Sequence, residues 1–194
     1  DKIGDKWEGF ANYWRTTQLE YTWLRSLMKR HKDFWQITED SLEKSMKKFN
    51  INNNMRNELL NLYKVLSTFS EVKETLQNLK EKNFKLAILS NGTPELLDHL
   101  VSTNNLENIF DDIFSIEEVK IYKPDSRVYD LPIKKFKFRK DEIVFLSANT
   151  WDVSGAGNYG FNSIWVNRSN NIFDSLDFKP KIEIKSLNEL LSIV

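Results

Sequence analysis

Apolar side chains recur at helical spacing in the first part of the chain. The first predicted helix carries them on one face: Trp7, Phe10, Trp14, Tyr21, Leu24, Leu27 and Met28. A second predicted helix opens at Ile37 and Thr38, with Thr38 as its N-cap. Two further amphipathic patterns follow, around Leu59 and Leu76. Residues 1–83 are therefore predicted to form a helical region.

From residue 84 the pattern changes to short apolar runs. Four of these runs are predicted to be strands: residues 84–89, 113–115, 142–146 and 163–166. The first and third are expected to be buried on both faces, because their apolar residues are nearly continuous. Helical patterns lie between the runs, which is typical of a parallel sheet with right-handed crossovers. The predicted fold class is α/β, with a core domain over residues 84–194.

Charge and cysteine content narrow the possible functions. The 194 residues include 28 basic and 28 acidic side chains, so the formal net charge is zero. Nucleic acids and anionic membrane surfaces require a basic face, so neither is an expected partner. Cysteine is absent, which removes thiolate metal ligands and cysteine nucleophiles and fits a cytoplasmic location. The two histidines, His31 and His99, lie apart from other ligand-type residues and are expected on helix surfaces.

Polar residues follow the predicted strands at three places. Ser90 and Asn91 come directly after the first strand, and Gly92 allows a close backbone approach there. Ligands of open parallel sheets bind at the carboxyl ends of the strands, and the free amides of a following helix attract anions. The alternative interpretation of this stretch is an ordinary turn from strand to helix.

The second place is the stretch from Lys123 to Tyr129. Tyr129 lies one turn into a predicted helix, on a side that can face the same site as Lys123. The alternative is a solvated lysine and a tyrosine that packs in the core.

The third place holds Ser147, Asn149 and Asp152, where a strand gives way to a helix. Asp152 alone can be a simple N-cap. Because carboxyl ends of parallel strands meet at one edge, the three places together predict a site rich in hydrogen-bond donors around a small anionic ligand.

The order and spacing of these pieces resemble the L-2-haloacid dehalogenases of the haloacid dehalogenase superfamily. The stretch YWRTTQLEYTWLRSL at 13–27 resembles the start of that family's helical cap. The stretches LAILSNG at 86–92, YKPDSRVY at 122–129 and SANTWD at 147–152 resemble its core motifs. The resemblance implies a Rossmann-type parallel sheet with a helical cap inserted after the first strand, so residues 1–83 become the cap region.

The resemblance also implies a reaction. An aspartate at the end of the first strand attacks the carbon that bears the halogen, and water hydrolyses the resulting ester. The product is a 2-hydroxy acid of inverted configuration, and neither a metal nor another cofactor takes part. The implied ligands are a small 2-haloacid and a halide ion, and a homodimer is a family-level expectation.

By position, the resemblance gives roles to individual residues. Arg15 matches the arginine that receives the departing halide, with Asn91 and Trp151 beside it. Leu19 and Phe34 match apolar cap residues around the substrate.

The core residues take roles by the same match. Ser90 matches a residue that binds the carboxylate of the substrate or the nucleophile. Lys123 matches the lysine paired with the nucleophile, and a nearby cation keeps an aspartate ionised. Tyr129 matches a tyrosine near that lysine. The group that orients the nucleophile and the hydrolytic water is matched by Ser147, Asn149 and Asp152.

The chain departs from the family pattern at its start. The stretch that carries the nucleophile, an apolar run followed by Asp, an aromatic residue and Gly-Thr, is not found, and neither Asp1 nor Asp5 follows a strand. The sequence therefore predicts that the central first strand is absent from these residues. Since the chain begins at Asp1 and not Met, a longer gene product is expected. A smaller departure is Pro132, which is expected to kink or shorten its helix.

Two other functions stay open at this point. One is a magnesium-dependent phosphatase of the same superfamily, although that chemistry needs several carboxylate ligands and SANTWD offers one. The other is an inactive remnant that binds a small carboxylate.

Overall fold

The computed structural model describes residues 3–194, so Asp1 lies outside the described part. The helical region contains α1 (Trp7–Met28), α2 (Phe34–Phe49) and α3 (Arg56–Asn61). Short 3-10 helices flank them at Gly4–Lys6, Asn53–Met55 and Leu62–Lys64. The three α-helices share one apolar cluster, formed by Phe10, Trp14, Leu42, Met46, Leu59 and Leu60.

The buried face of α1 differs from the predicted one. Phe10 and Trp14 are buried, but the ends of the predicted apolar face are exposed: Trp7, Leu24, Leu27 and Met28. The polar residues Thr17, Gln18 and Thr22 are buried instead. Apolar spacing cannot predict the burial of a polar side chain, because that burial depends on hydrogen-bond partners elsewhere in the protein.

The start of α2 was also predicted wrongly. The helix begins at Phe34, and the side chain of Asp33 is the N-cap, accepting from the backbone N–H of Gln36 at 2.8 Å. Thr38 lies inside the helix, where its hydroxyl donates to the carbonyl of Phe34 at 2.7 Å. Asp and Thr are both favourable N-cap residues, and the helix begins after the first of them, Asp33.

The remainder of the chain alternates helices and strands, which confirms the predicted α/β class. The helices are α4 (Val72–Glu81), α5 (Pro94–Thr103), α6 (Ser126–Phe136) and α7 (Thr150–Tyr159). The strands are β1 (Ala87–Ser90), β2 (Asp112–Ser115), β3 (Val144–Ser147), β4 (Asn162–Val166) and β5 (Ile182–Ile184). Short 3-10 helices lie at Ile116–Glu118, Lys140–Glu142 and Leu187–Ser192.

All strand pairs in the described residues are parallel, and they form two sheets. β1 pairs with β2, so that Ser90 lies beside Ser115. β4 pairs with β3 on one side and with β5 on the other. Within residues 3–194, β1 and β3 each pair with a single neighbour. The resemblance places the first strand of the family between these two.

Burial follows this pairing. Four of the five residues of β4 are buried, whereas no residue of β1 or β3 is. The expectation that β1 and β3 are buried on both faces was therefore wrong for these residues. The physical reason is that each has one strand edge without a neighbour in the described part of the chain.

α4 packs in the core domain and contributes no residue to the apolar cluster that α1, α2 and α3 share. Its Leu76 and Leu79 join the apolar cluster that contains Ile164 and Val166 of β4. The division of the chain at residue 83 stays a prediction, and we propose that the helical region ends before Val72.

The helical region lies against the core domain through a third apolar cluster. Phe34 and Ile37 of α2 contact Ile116, Tyr122 and Val128. The hydroxyl of Tyr122 donates to the carbonyl of Lys32 at 2.7 Å. These contacts place the first turn of α2 beside the loops that follow β1 and β3. Among the described residues, no helix has both the length and the apolar character that crossing a membrane requires.

Candidate active site

A buried ion pair between Lys123 and Asp152 lies at the carboxyl ends of β1 and β3. The Nζ atom of Lys123 is 2.6 Å from Oδ2 of Asp152, and the two residues are 7% and 2% exposed. The same Nζ donates to the carbonyl of Leu89, in β1, at 3.1 Å. Lys123 therefore bridges β1 and the helix that follows β3.

Two hydroxyl groups complete the surroundings of Asp152. Tyr129 donates to Oδ1 at 2.9 Å, and Ser147 donates to Oδ2 at 3.1 Å. Burial, reinforced by the charge of Asp152, raises the pKa of Tyr129, so its hydroxyl keeps the proton that it donates. Asp152 is not the cap of α7, because Asn149 holds that position. The interpretation of Asp152 as a simple N-cap was wrong.

α6 presents Tyr129 to this carboxylate. The side chain of Asp125 caps the helix by accepting from the backbone N–H of Arg127 at 3.0 Å. Pro132 lies inside α6, yet the helix continues to Phe136 and Tyr129 keeps its bond to Asp152. Pro132 therefore does not shorten this helix, and the alternative expectation, a kink at Pro132, stays a prediction.

Gly155 permits the close approach of α7 to Tyr129. A Cβ atom at this position would lie 2.6 Å from the Tyr129 hydroxyl and 2.5 Å from Cβ of Pro124. Such distances are too short for any side chain without a shift of the helix. Sequence reasoning missed this residue, although an isolated glycine in a helical pattern is the signal that points to a close contact.

The loop after β1 supplies two polar residues. The hydroxyl of Ser90 accepts from the backbone N–H of Gly92 at 3.0 Å. Oδ1 of Asn91 accepts from the backbone N–H of Lys123 at 3.3 Å. Because Asn91 uses its oxygen in this way, its amide N–H groups are the part that can serve a ligand. The sequence predicts that Thr93 caps the next helix and that Pro94 is its first residue, since proline is favoured at that position, and the structure confirms both.

Arg15 approaches from the helical region. Its Nη1 donates to Oε1 of Gln18 at 2.8 Å. The side chain faces the open cleft, but the protein atoms around the guanidinium group lower its pKa by desolvation, while electrostatic interaction with Tyr63 acts in the opposite direction. Burial raises the pKa of Tyr63, so that hydroxyl is protonated beside the guanidinium.

One cavity of about 470 Å³ joins these groups between the helical region and the core domain. Its polar lining consists of Arg15, Ser90, Asn91, Lys123, Asn149 and Asp152. Its remaining lining consists of Phe34, Tyr63, Leu66, Gly92, Leu96, Leu97, Leu100 and Trp151. A small organic anion can thus be surrounded by cationic and neutral donors on a largely apolar background.

The structure brings most of the predicted site residues to this cavity. Tyr129 and Ser147 are not in its wall and reach it through Asp152. Leu19 is half-buried on α1 outside the wall, so its contact with substrate stays a prediction.

Sequence reasoning missed several lining residues, which are Tyr63, Leu66, Leu96, Leu97 and Leu100. Their helical spacing was the only available signal, and that spacing indicates packing more often than a binding wall.

The donor set of the cavity is a poor one for a hard divalent cation. Of the described residues that line it, Asp152 is the one carboxylate, and three donors already engage it. Magnesium prefers several oxygen ligands in an octahedral arrangement. The histidines lie elsewhere: His31, in the loop between α1 and α2, bonds to Glu117, and His99 on α5 bonds to the carbonyl of Lys64.

Fold and site together define an α/β protein whose helical cap covers polar loops at the carboxyl ends of a parallel sheet. Comparison with known proteins gives the family. The model of the haloacid dehalogenase-like hydrolases matches residues 11–166, so the chain belongs to that family.

Individual relatives agree with this assignment. The chain is 41% identical over 182 residues to the (S)-2-haloacid dehalogenase of Pseudomonas sp. (strain YL), covering 93% of this chain and 78% of that protein. It is 36% identical over 193 residues to the (S)-2-haloacid dehalogenase 4A of Burkholderia cepacia, covering 98% and 83%. A crystal structure of an L-2-haloacid dehalogenase is similar with a TM-score of 0.96 at 32% identity, covering 100% of this chain and 88% of the other.

Proposed function

We propose that the protein hydrolyses the carbon–halogen bond of short L-2-haloacids and releases a D-2-hydroxy acid and a halide ion. One observation carries the proposal: a single cavity has Arg15 on its helical side and the Lys123–Asp152 pair on its core side. The two relatives named (S)-2-haloacid dehalogenases support this choice of substrate.

The proposed first step is a displacement at carbon. An aspartate carboxylate attacks C2, the carbon–halogen bond breaks, and the halide leaves with the bonding electrons. Arg15 supplies the countercharge to the departing anion, and Asn91 adds a neutral donor. Trp151 and Phe34 in the cavity wall exclude water, which strengthens these electrostatic interactions.

The proposed second step is hydrolysis of the ester at its carbonyl carbon. Water adds to that carbon, and the bond between the carbonyl carbon and the ester oxygen on C2 breaks. That oxygen leaves as the hydroxyl group of the product, and the enzyme carboxylate is restored. C2 is inverted in the first step and untouched in the second, so the product has the opposite configuration. Ser147, Asn149 and Asp152 orient the nucleophile and the water, and Ser90 binds a carboxylate.

Asp152 is not the proposed nucleophile. Both of its oxygens are engaged, by Lys123 and Ser147 on one side and Tyr129 on the other. Attack would require these bonds to break in a site that is almost closed to solvent. We propose that the attacking aspartate is a separate carboxylate that sits between β1 and β3, within reach of Lys123.

We also propose that the protein acts in the cytoplasm as a homodimer. The absence of cysteine supports the location. The exposed apolar residues Leu24, Leu27 and Met28 at the end of α1 form a surface that a second copy can cover.

The proposal is tested on the full-length protein with two substrates. Halide release from L-2-chloropropionate in the presence of a chelator is expected, and p-nitrophenyl phosphate with added magnesium is expected to stay intact. Phosphate release without halide release would make the protein a phosphatase of the same superfamily. Loss of both activities would favour a protein that only binds small carboxylates.

A further inference from the structure

Gln18 is a fully buried amide that contacts Arg15, the one cation that the described residues of the helical region contribute to the cavity wall. Its Oε1 accepts from Nη1 of Arg15 at 2.8 Å, and the residue is 0% exposed. Its Nε2 donates to the hydroxyl of Thr38 at 2.7 Å. The amide is therefore bound on each side.

The hydrogen bonds of Thr38 fix which way this amide points. A hydroxyl has one proton, and the Thr38 hydroxyl donates it to the carbonyl of Phe34 at 2.7 Å. Thr38 must then accept from Gln18, so the amide nitrogen faces Thr38 and the amide oxygen faces Arg15. The chain of bonds runs from the first turn of α2 to the guanidinium group on α1.

We propose that Gln18 is a positioning residue that holds the Arg15 guanidinium in the cavity, where it receives the halide. The inference rests on the proposed function, which gives Arg15 that role. An arginine side chain has several rotatable bonds, and the cleft around Arg15 is open. An amide oxygen that is itself fixed by Thr38 selects the conformer in which the remaining N–H groups of Arg15 face the substrate.

The chain of bonds also couples Arg15 to the apolar wall. Phe34 lines the same cavity, and its carbonyl is the last acceptor of the chain. Displacement of the amide would therefore disturb the halide end of the cavity and leave the Lys123–Asp152 end, on the core domain, in place.

The test compares variants of the full-length protein that differ in one group. Gln18→Met keeps the length of the side chain and removes both hydrogen bonds. Thr38→Val removes the hydroxyl at constant shape, and Thr38→Ser keeps it. Gln77→Met makes the same chemical change at an exposed position of α4 and is the matched control.

Gln18→Met is expected to lower kcat for L-2-chloropropionate roughly 10-fold, the scale of one charge-assisted hydrogen bond, with little change in KM. Thr38→Val should also lower kcat. Thr38→Ser and Gln77→Met should keep kcat close to that of the parent protein. In an Arg15→Ala background, Gln18→Met should have no further effect, because it acts only through Arg15. A purely structural role would predict additive losses, and additivity overturns the inference.

Bromide binding, measured by isothermal titration calorimetry, gives a second readout. Gln18→Met is expected to weaken it, and equal bromide affinity in both proteins overturns the inference even if the parent protein releases no halide. Normal halide release in Arg15→Ala would refute the proposed role of Arg15. Loss of release in Arg15→Ala with a normal kcat in Gln18→Met would refute the role of Gln18 alone.

Discussion

At the scale of single residues, the carboxylate of Asp152 is engaged on both oxygens before any substrate arrives. Lys123, Tyr129 and Ser147 hold it in a site that excludes water. Such an arrangement fixes a geometry, and it suits a supporting group better than an attacking one. The stability of the core domain depends on the same contacts.

Breaking this ion pair on one side is expected to be costly. Asp152→Asn and Lys123→Met should each lower the free energy of unfolding by about 3–5 kcal/mol, because each leaves a buried charge without its partner. In the double variant, the loss of free energy of unfolding should be clearly smaller than the sum of the two single losses. Urea unfolding followed by circular dichroism measures all three values. Losses below about 1 kcal/mol, or strict additivity, would contradict the pair as described.

Residue-scale prediction succeeded where sequence position carries the information. Lys123 and Asp152 were placed in one site because loops after parallel strands meet at one edge. Gln18 and Gly155 were missed for a different reason. A buried amide is recognised only by its partners, which the order of residues does not show. A glycine in a helical pattern signals a close contact but does not identify the neighbour.

At the scale of elements, the first turn of α2 links helix capping to the site. Asp33 is the N-cap, and Phe34, the first residue of the helix, lines the cavity. The sequence predicted a helix here but placed its cap five residues late, because Thr38 is an equally good cap by residue type. By contrast, Thr93 followed by Pro94 allows only one position for the start of α5, and the structure confirms that start.

Removal of the α2 cap is expected to have a measurable effect. Asp33→Ala should lower the free energy of unfolding by about 1 kcal/mol, since one backbone N–H of the first turn loses its acceptor. Asp33→Asn retains a capping oxygen and serves as the control, with a loss of a few tenths at most. Thermal unfolding compares the proteins. Equal losses in both variants would mean that the charge of Asp33, and not its cap, is the stabilising feature.

At the scale of the whole molecule, Glu71 joins three parts of the chain that are distant in sequence. Its carboxylate is 2.5 Å from Nη2 of Arg168, and it accepts from the hydroxyl of Ser186 at 3.0 Å. Hydrogen bonds from its own backbone N–H, from Arg168 and from Ser186 lower the pKa of Glu71 from 4.5 to about 2, against the opposing effect of burial. The start of α4 is thereby tied to the end of β4 and to the C-terminal 3-10 helix.

The lowered pKa of Glu71 predicts a dependence of stability on pH. The carboxylate is more acidic in the folded protein than in the unfolded one, so its stabilising effect is complete above pH 4.5 and is lost as the pH falls towards 2. Glu71→Gln should lower Tm by roughly 2–4 °C at pH 7, for a loss of about 1 kcal/mol. The difference between the two proteins should shrink at pH 3. A difference that is constant between pH 7 and pH 3 would contradict this account.

The architecture of the whole molecule was largely predictable for a physical reason. Apolar runs alternating with helical patterns restrict the chain to a parallel sheet with crossovers, so the class follows from the pattern alone. Burial of β1 and β3 was not predictable in the same way. It depends on which strands pair, and pairing is a property of the assembled sheet, as the contrast between those strands and β4 illustrates.

The configuration of the product distinguishes displacement at C2 by an aspartate from other routes to the hydroxy acid. The full-length protein is incubated with L-2-chloropropionate, and halide release is measured together with the configuration of the lactate formed. Displacement at C2 by an aspartate, with Arg15 receiving the halide, predicts one equivalent of D-lactate for each chloride released, and a fall of both products to a small residual rate in Arg15→Ala. L-lactate, or chloride release that Arg15→Ala leaves unchanged, would contradict the account.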